Sequence, residues 1–333
     1  MTELTPTGDR NVVVHTLRPE RAVPTLAEEV RSGLTSKPYT LPPKFFYDAE
    51  GSELFDRICD TPEYYPTRTE GALVTEHAAR IIATAEPDHI IELGAGTCRK
   101  TRALLRACEE QGRSAHFWPQ DVCGPILEAT GAALLEEFPH LAVTALVGDY
   151  HAGLGTLPAM QGRKLFVFLG GTLGNFEPDE ATAFLQELAG IMSPADHLLV
   201  GVDRIKDRAI LEAAYNDREG ITAAFNLNVL NVLNRDLGGT IDPQGFRHEA
   251  IYNPSATQIE MYLIARRTQS AVLAGLEQPL QFAEGDRIRT EISRKFTPES
   301  LARLLAAADL EMDAHFEPEN GYFSLALARP KGH

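Results

Sequence analysis

The chain has 333 residues, of which 44% are hydrophobic and 23% charged, enough for the core of one large domain or two of ordinary size. Its 47 acidic and 31 basic residues give a formal net charge of -16. Such a surface repels phosphate backbones, and no local basic patch offsets it, so we expect no nucleic-acid partner.

The chain begins with the polar stretch "MTELTPTGDR", and we expect roughly the first twenty residues to be loose. This stretch lacks the basic-then-apolar pattern of a signal peptide. No apolar run in the chain reaches the roughly 18–20 residues that a membrane helix needs. We therefore expect a cytoplasmic protein that does not bind a membrane.

A regular alternation of helices and strands begins near residue 72, after a segment rich in proline and aromatic residues. The buried strands of this region have the sequences "HIIELG", "HFWPQD", "LAVTALVGD", "KLFVFLGG" and "HLLVGVD". Helical patterns of 10–15 residues separate most of these strands, which predicts right-handed crossovers and a parallel sheet with helices on both faces.

The pattern changes after Asp203. Residues 205–239 are mainly helical with an asparagine-rich polar stripe, and "QIEMYLIARRTQ" and "RIRTEISRKF" alternate like antiparallel strands. We therefore predict an α/β fold in which a doubly wound sheet carries a second, smaller α+β domain. The predicted boundaries are 68–205 and 295–333 for a nucleotide-binding domain, and 20–67 and 206–294 for a substrate-binding domain.

The glycine turn in "IIELGAGTCRKT" predicts a nucleotide site at the end of a strand. The dinucleotide pattern G-x-G-x-x-G fails at Arg99, and the P-loop pattern is absent. Other polar residues follow the neighbouring strands: Asp121, the pair Asp149-Tyr150, and Gly170. Ligands of open α/β sheets bind at these carboxyl ends. Asp121 suits ribose hydroxyls, and Asp149 suits an adenine amino group with Tyr150 against the ring.

This arrangement looks like a class I S-adenosylmethionine methyltransferase. An N-P-P-Y run, as in enzymes that modify nucleic-acid bases, is missing, so a small substrate is expected. Cys59, Cys98, Cys108 and Cys123 show no C-x-x-C pair and no histidine at zinc-ligand spacing, so we expect free thiols and no metal site.

Longer stretches resemble the histidine-specific N-alpha-methyltransferases of ergothioneine biosynthesis. They are "LPPKFFYDAEGSELFDRICDTPEYYPTRTE", "IIELGAGTCRKTRALL", "LFVFLGGTLGNFEPDE", "AYNDREGITAAFNLNVLNVLNRDL", "IEMYLIAR" and "TEISRKF". The likeness runs from about residue 27 to 330. It implies an enzyme that transfers three methyl groups from S-adenosylmethionine to the alpha-amino nitrogen of L-histidine, which gives hercynine.

The resemblance also implies the roles of individual residues. The cofactor would contact Tyr47, Gly94, Lys100, Asp121, Asp149 and Tyr150. The substrate would contact Tyr64, Gly170, Asn175, Tyr215, Met261, Glu291 and Ser293. Tyr47 and Asn175 would also be the catalytic residues. The chain departs from the family pattern at Cys98-Arg99 and at Gly171. These departures put individual contacts with the cofactor in doubt, but not the reaction.

Some of these residues can be judged without the resemblance. Glu291 and Ser293 are two apart on a predicted strand, so their side chains share a face about 6.5–7 Å apart and could hold an imidazole. They could equally be exposed on the solvent face of an edge strand. Asn175 could present its amide to a ligand, or it could be a turn residue or helix N-cap. Tyr47 and Tyr64 could be core residues.

Two other functions are compatible with this fold. The acceptor could be another amino acid or a biogenic amine, in which case Glu291 and Ser293 would read a different side chain. The chain could also be a non-catalytic S-adenosylmethionine-binding protein. Asn175 together with the tyrosines argues against the latter, because such a protein needs no amine pocket.

Overall fold

A computed structural model describes residues 12–274, 276 and 278–332. The strands in chain order are β1 (Val13–Thr16), β2 (Tyr39–Thr40), β3 (His89–Leu93), β4 (His116–Asp121), β5 (Ala142–Val147), β6 (Lys164–Phe168), β7 (His197–Asp203), β8 (Phe246–Asn253), β9 (Gln258–Ala265), β10 (Gln269–Ala271), β11 (Leu280–Phe282), β12 (Arg287–Arg294), β13 (Leu310–Phe316) and β14 (Phe323–Pro330). The helices are α1 (Leu26–Leu34), α2 (Ala49–Asp60), α3 (Tyr65–Ala85), α4 (Arg102–Glu110), α5 (Gly124–Glu137), α6 (Pro178–Ile191), α7 (Arg208–Ala214), α8 (Ile221–Asp236) and α9 (Pro298–Ala307).

The large sheet has the strand order β1-β5-β4-β3-β6-β7-β14-β13. In this spatial order, all neighbouring strands between β1 and β7 are parallel. Strand β14 is antiparallel to both β7 and β13. The first strand of the alternating region, β3, lies in the middle, and the chain winds outward from it in both directions. This confirms the predicted doubly wound α/β fold.

Helices cover both faces of the large sheet because its central strands carry apolar side chains on both faces. In β3, Ile90 belongs to the core on one face and Ile91 to the core on the other, since successive side chains point to opposite faces. The first of these cores includes residues from α3, α4 and α5, and the second includes residues from α6 and α9. Both isoleucines are fully buried.

A second sheet of four strands, in the order β2-β12-β9-β8, has its own hydrophobic core. That core also contains residues of α1, α2, α7 and α8. The asparagine-rich stripe predicted in this region is partly buried in α8. Asn226 bonds His248 Nδ1 at 2.8 Å and the backbone oxygen of Tyr262 at 3.1 Å, so it joins the helix to the sheet. The predicted domain boundaries stay a prediction.

The two sheets meet at the carboxyl end of β7. The Phe296 amide, just after β12, donates to the Asp203 carbonyl at 2.9 Å, and the Ile205 amide donates back to Phe296 at 3.0 Å. Nearby, a Cβ on Gly174 would lie 2.9 Å from the Arg294 carbonyl oxygen, so the loop after β6 needs a glycine to approach β12. These contacts place the end of β12 beside the carboxyl ends of the parallel strands.

Three sequence-based expectations need correction or completion. Residues 13–16 are not loose but form β1, an edge strand of the large sheet, while residues 1–11 lie outside the described part. Strands β8 and β13 were not predicted. Alternation of Leu310, Met312, Ala314 and Phe316 would have indicated β13, but the helix pattern that ends just before it concealed this signal.

Candidate functional site

Four of the sequence-predicted positions follow four adjacent strands of the large sheet. Gly94 comes after β3, Asp121 ends β4, Asp149 follows β5 and Gly170 follows β6. In space the order is β5-β4-β3-β6, so these residues lie along one edge of the sheet. Gly94 and Gly170 have φ angles of 69° and 84°, which side chains other than glycine rarely adopt. At these two positions no side chain covers the backbone, so a ligand could approach it closely.

Backbone amides fix the Asp121 carboxylate at the end of β4. Its Oδ2 accepts from the Gly96 amide at 3.0 Å, and its Oδ1 accepts from the Cys123 amide at 3.0 Å. Each carboxylate oxygen has a further lone pair, so the group can accept two more hydrogen bonds. Asp121 thus links the glycine turn to the next strand and remains able to bind a pair of hydroxyls.

Asp149 and Tyr150 form the neighbouring wall of this edge. Asp149 Oδ1 accepts from the His151 amide at 2.8 Å and so caps a short 3₁₀ turn. The Tyr150 ring packs against Phe168, and its Cε1 would lie 3.7 Å from a Cβ on Gly94. A cavity of about 300 Å³ borders Asp149 and is also lined by Leu17, Arg18, Pro19, Val23, Gly148, Ala152, Gly153 and Thr156.

Lys100, another predicted cofactor residue, forms an ion pair with Glu70 of α3. Glu70 is 1% exposed, and its two carboxylate oxygens accept from the Gly170 amide at 2.8 and 3.0 Å. Glu70 therefore ties the turn after β3 to the turn after β6. Sequence reasoning missed it, because a glutamate within a helix is typical of a solvent-facing residue.

Three predicted tyrosines belong to one aromatic cluster that packs on the core of the second sheet. The Tyr64 and Tyr215 ring centroids are 6.0 Å apart, and the Tyr47 ring contacts Phe55 and Phe225. Burial raises the pKa of Tyr47 well above its usual value, with smaller contributions from Glu291, Tyr150, Cys59 and Tyr215. Tyr47 nevertheless has 39% of its surface exposed. Within the described chain, the hydroxyls of Tyr47 and Tyr64 make no hydrogen bond.

Glu291 and Ser293 lie on β12, which pairs with β9 on one side and β2 on the other. The pairing with β2 covers only Ile288 and Arg289, so Glu291 and Ser293 have a strand partner on one side only. Ser293 is nevertheless buried and Glu291 half-buried, so the alternative in which both side chains lie on a solvent face is wrong. Glu291 is half-buried, and its carboxylate makes no hydrogen bond or ion pair with any described residue. Burial raises the pKa of Glu291 to about 7, an effect that the nearby Lys295 ammonium partly offsets. An isolated carboxylate of this kind is suited to a ligand that donates a hydrogen.

We expect the raised pKa of Glu291 to cost stability at alkaline pH. Because the folded protein holds this proton up to about pH 7 and the unfolded chain loses it near pH 4.5, stability falls as the pH rises through that interval. Glu291→Gln should therefore raise the free energy of unfolding by about 1–3 kcal/mol at pH 8. The gain should shrink towards pH 5. Denaturant titrations at both pH values check this, and a gain independent of pH would contradict it.

A buried ionic network lies behind Ser293. Tyr215 donates its hydroxyl hydrogen to Ser293 Oγ at 2.8 Å, and Lys295 Nζ donates to the same Oγ at 2.9 Å. Lys295 also pairs with Asp203 at 2.8 Å, and Asp203 in turn pairs with Lys206. The two lysines hold the pKa of Asp203 below its usual value despite its burial. Sequence reasoning missed this network.

The last two predicted residues have different environments. Asn175 is half-buried at the end of a 3₁₀ turn and makes no side-chain hydrogen bond with the described residues. It is not a helix N-cap, since Glu177 caps α6. Met261 pairs with Glu291 across β9 and β12 and is 2% exposed, so packing accounts for most of its surface.

Further observations concern metals, membranes and thiols. The described residues include no group of three or more His, Cys, Asp or Glu placed to hold a metal ion. Among the helices of this same part of the chain, none is both long and apolar enough to cross a bilayer. All four cysteines are free thiols, as predicted.

The winding of the large sheet from β3, with an antiparallel β13–β14 hairpin at its edge, is the fold of the class I methyltransferases. The chain belongs to the histidine-specific, SAM-dependent methyltransferase family, whose sequence model matches residues 26–330. This confirms the family resemblance found in the sequence.

Individual relatives agree with the family assignment. The chain is 44% identical over 312 residues to the histidine N-alpha-methyltransferase of Mycolicibacterium smegmatis, covering 94% of this chain and 97% of that protein. It is 43% identical over 303 residues to the protein of the same name from Mycobacterium tuberculosis, covering 91% and 94%. Ergothioneine biosynthesis protein 1 of Neurospora crassa is 31% identical over 312 residues, which are 88% of this chain but 34% of that longer protein.

Proposed function

We propose that the chain transfers three methyl groups from S-adenosylmethionine to the alpha-amino nitrogen of L-histidine and so makes hercynine, a step of ergothioneine biosynthesis. The names of the mycobacterial and Neurospora relatives support the reaction and its pathway. The structural observation that carries the proposal is the unpaired Glu291 carboxylate two residues from the Ser293 hydroxyl, beside a cluster of tyrosines.

The strand-end residues fit the methyl donor. Asp121 has carboxylate lone pairs for two ribose hydroxyls, and Gly94 leaves room for close approach to the backbone. Asp149 and Tyr150 would hold the adenine by a hydrogen bond and a ring contact. Lys100 and Tyr47 would complete the contacts. When bound, S-adenosylmethionine supplies an electrophilic methyl group on its sulfonium.

The substrate residues would surround histidine on the side of the second sheet. Glu291 would accept the hydrogen of one ring nitrogen, and the Ser293 hydroxyl would bond the other. The remaining substrate contacts would come from Tyr64, Gly170, Asn175, Tyr215 and Met261. A predicted division of the chain into a cofactor domain and a substrate domain forms part of this proposal, with residues 20–67 and 206–294 assigned to the substrate.

The chain contributes to the reaction by positioning an uncharged amine. An ammonium has no lone pair with which to attack, and burial against the tyrosines disfavours the charged form. The raised pKa of Tyr47 keeps its hydroxyl protonated, so its oxygen serves as a hydrogen-bond acceptor and not as a base. The Asn175 amide oxygen can accept a second hydrogen of the amine. In the first transfer two hydrogens are held, so the lone pair has a defined direction, and orientation supplies much of the rate. Each later transfer begins with one hydrogen fewer, after the newly methylated ammonium has released a proton to water.

No step of this reaction needs a metal, because the methyl group already sits on a positively charged leaving group. We also keep the cytoplasm as the proposed location. Four free thiols support this, since a reducing compartment keeps cysteines unpaired.

Incubation with labelled S-adenosylmethionine and a pool of amino acids and biogenic amines tests the proposal. Label should enter histidine alone. Label in another amino acid or amine would indicate the alternative acceptor, and the absence of transfer despite cofactor binding would indicate a non-catalytic binding protein.

A further inference from the structure

The Lys295 ammonium is completely buried, and all of its hydrogens are committed. Its Nζ donates to Asp203 Oδ2 at 2.8 Å, to Ser293 Oγ at 2.9 Å and to the Tyr215 hydroxyl oxygen at 3.0 Å. An ammonium has three hydrogens, so none is left for a ligand. The Asp203 carboxylate raises the pKa of Lys295 and keeps it charged. Lys295 therefore acts on its neighbours only as a fixed donor.

The Ser293 hydroxyl oxygen receives two hydrogens from this network. One comes from Lys295, and the other from the Tyr215 hydroxyl at 2.8 Å. Because the Tyr215 hydrogen lies between the two oxygens, Ser293 cannot donate its own hydrogen to Tyr215 along the same contact. A hydroxyl oxygen has two lone pairs, so Ser293 has no further acceptor capacity. Its own hydrogen has no acceptor among the described residues. Ser293 is thus left with one hydrogen to donate.

We propose that Lys295 and Tyr215 are positioning residues that make the Ser293 hydroxyl a donor towards the substrate ring and prevent it from accepting. This rests on the proposed function, in which Ser293 meets one imidazole nitrogen and Glu291 the other. The Glu291 carboxylate accepts a ring N–H, whereas Ser293 requires a ring nitrogen without hydrogen. Together they select one neutral tautomer of histidine and reject rings that lack the second nitrogen.

Two pyrrolylalanine isomers, which each replace one ring nitrogen of histidine by C–H, test this selection. Dissociation constants are measured by calorimetry with S-adenosylhomocysteine present. The wild type should bind histidine on the order of tenfold more tightly than the better isomer, because pyrrole leaves the buried Ser293 hydrogen without an acceptor. In Lys295→Met that hydrogen can turn to the freed Tyr215 oxygen, so the preference should fall to about threefold or less.

Lys206→Met is the matched control, since it removes the other lysine paired with Asp203 without touching Ser293. It should keep the wild-type preference. An unchanged preference for histidine over pyrrolylalanine in Lys295→Met would overturn the inference. The loss of a lysine with a merely structural role would weaken the binding of both ligands equally. An equal loss in Lys206→Met would overturn it too, by assigning the effect to the charge of Asp203.

Tyr215→Phe provides a second test that does not remove a buried charge. If Lys295→Met no longer binds S-adenosylhomocysteine, the ligand preference of Tyr215→Phe decides whether the inference holds. Removing this hydroxyl frees one Ser293 lone pair, so the preference for histidine over pyrrole should fall here as well. A wild-type preference in Tyr215→Phe would count against the inference. Failure of the wild-type protein to bind histidine at all would instead refute the proposed function.

Discussion

Asp121→Ala should weaken S-adenosylmethionine binding on the order of a hundredfold. The carboxylate is held at the end of β4 by the Gly96 and Cys123 amides, with lone pairs left for two ribose hydroxyls. Each hydrogen bond to a charged group contributes about 1.5–3 kcal/mol, so the loss of two bonds at the lower end of this range corresponds to about a hundredfold. Calorimetric titration of the variant with S-adenosylmethionine measures it directly.

Asp88→Ala is a suitable control for this measurement. Asp88 also accepts a backbone hydrogen, from the Arg163 amide at 2.8 Å, but it precedes β3 and so lies at the opposite edge of the sheet. This variant should bind the cofactor like the wild type. Unchanged affinity in Asp121→Ala would show that the ribose is not bound at β4.

The second large effect is expected for Glu291→Ala, which should lose on the order of tenfold to a hundredfold in histidine affinity while cofactor binding stays intact. A charge-assisted bond from a ring N–H to the carboxylate is worth about 1.5–3 kcal/mol. Leucine would bury Glu291 without a partner in the wild type, and that penalty excludes apolar side chains. The variant should therefore also discriminate less against other amino acids.

Histidine binding in the presence of S-adenosylhomocysteine tests this prediction. Glu249→Ala serves as the control, because Glu249 lies on β8 of the same sheet and its ion-pair partners among the described residues are Arg247 and Arg287. It should leave histidine affinity unchanged. Wild-type affinity in Glu291→Ala would mean that the ring is recognised elsewhere.

The cofactor edge could be predicted from the sequence because its signals are local. Each of Gly94, Asp121 and Asp149 directly follows an apolar strand, and the winding rules of parallel sheets bring such strand ends together. The relation between Glu291 and Ser293 was also local, since the two-residue period of a strand puts both on one face. Whether these side chains were covered depended on residues distant in sequence, such as Tyr215, whose hydroxyl contacts Ser293.

The network behind Ser293 could not be predicted in the same way. Lysine is rarely fully buried, so Lys295 is typical of a surface position until its partner is known. That partner, Asp203, is distant in sequence and ends a strand of the other sheet. Only the junction of β12 with the end of β7 brings the two charges together. The same reason explains why Glu70, which reaches Gly170 from another element, was missed.

The mass of the product formed from histidine and S-adenosylmethionine tests the central proposal most directly. Mass spectrometry of a completed reaction should show histidine heavier by three CH₂ units, with fragmentation placing all three on the alpha-amino nitrogen. A ring-methylated product, or a reaction that ends after one or two methyl groups with S-adenosylmethionine in excess, would contradict it.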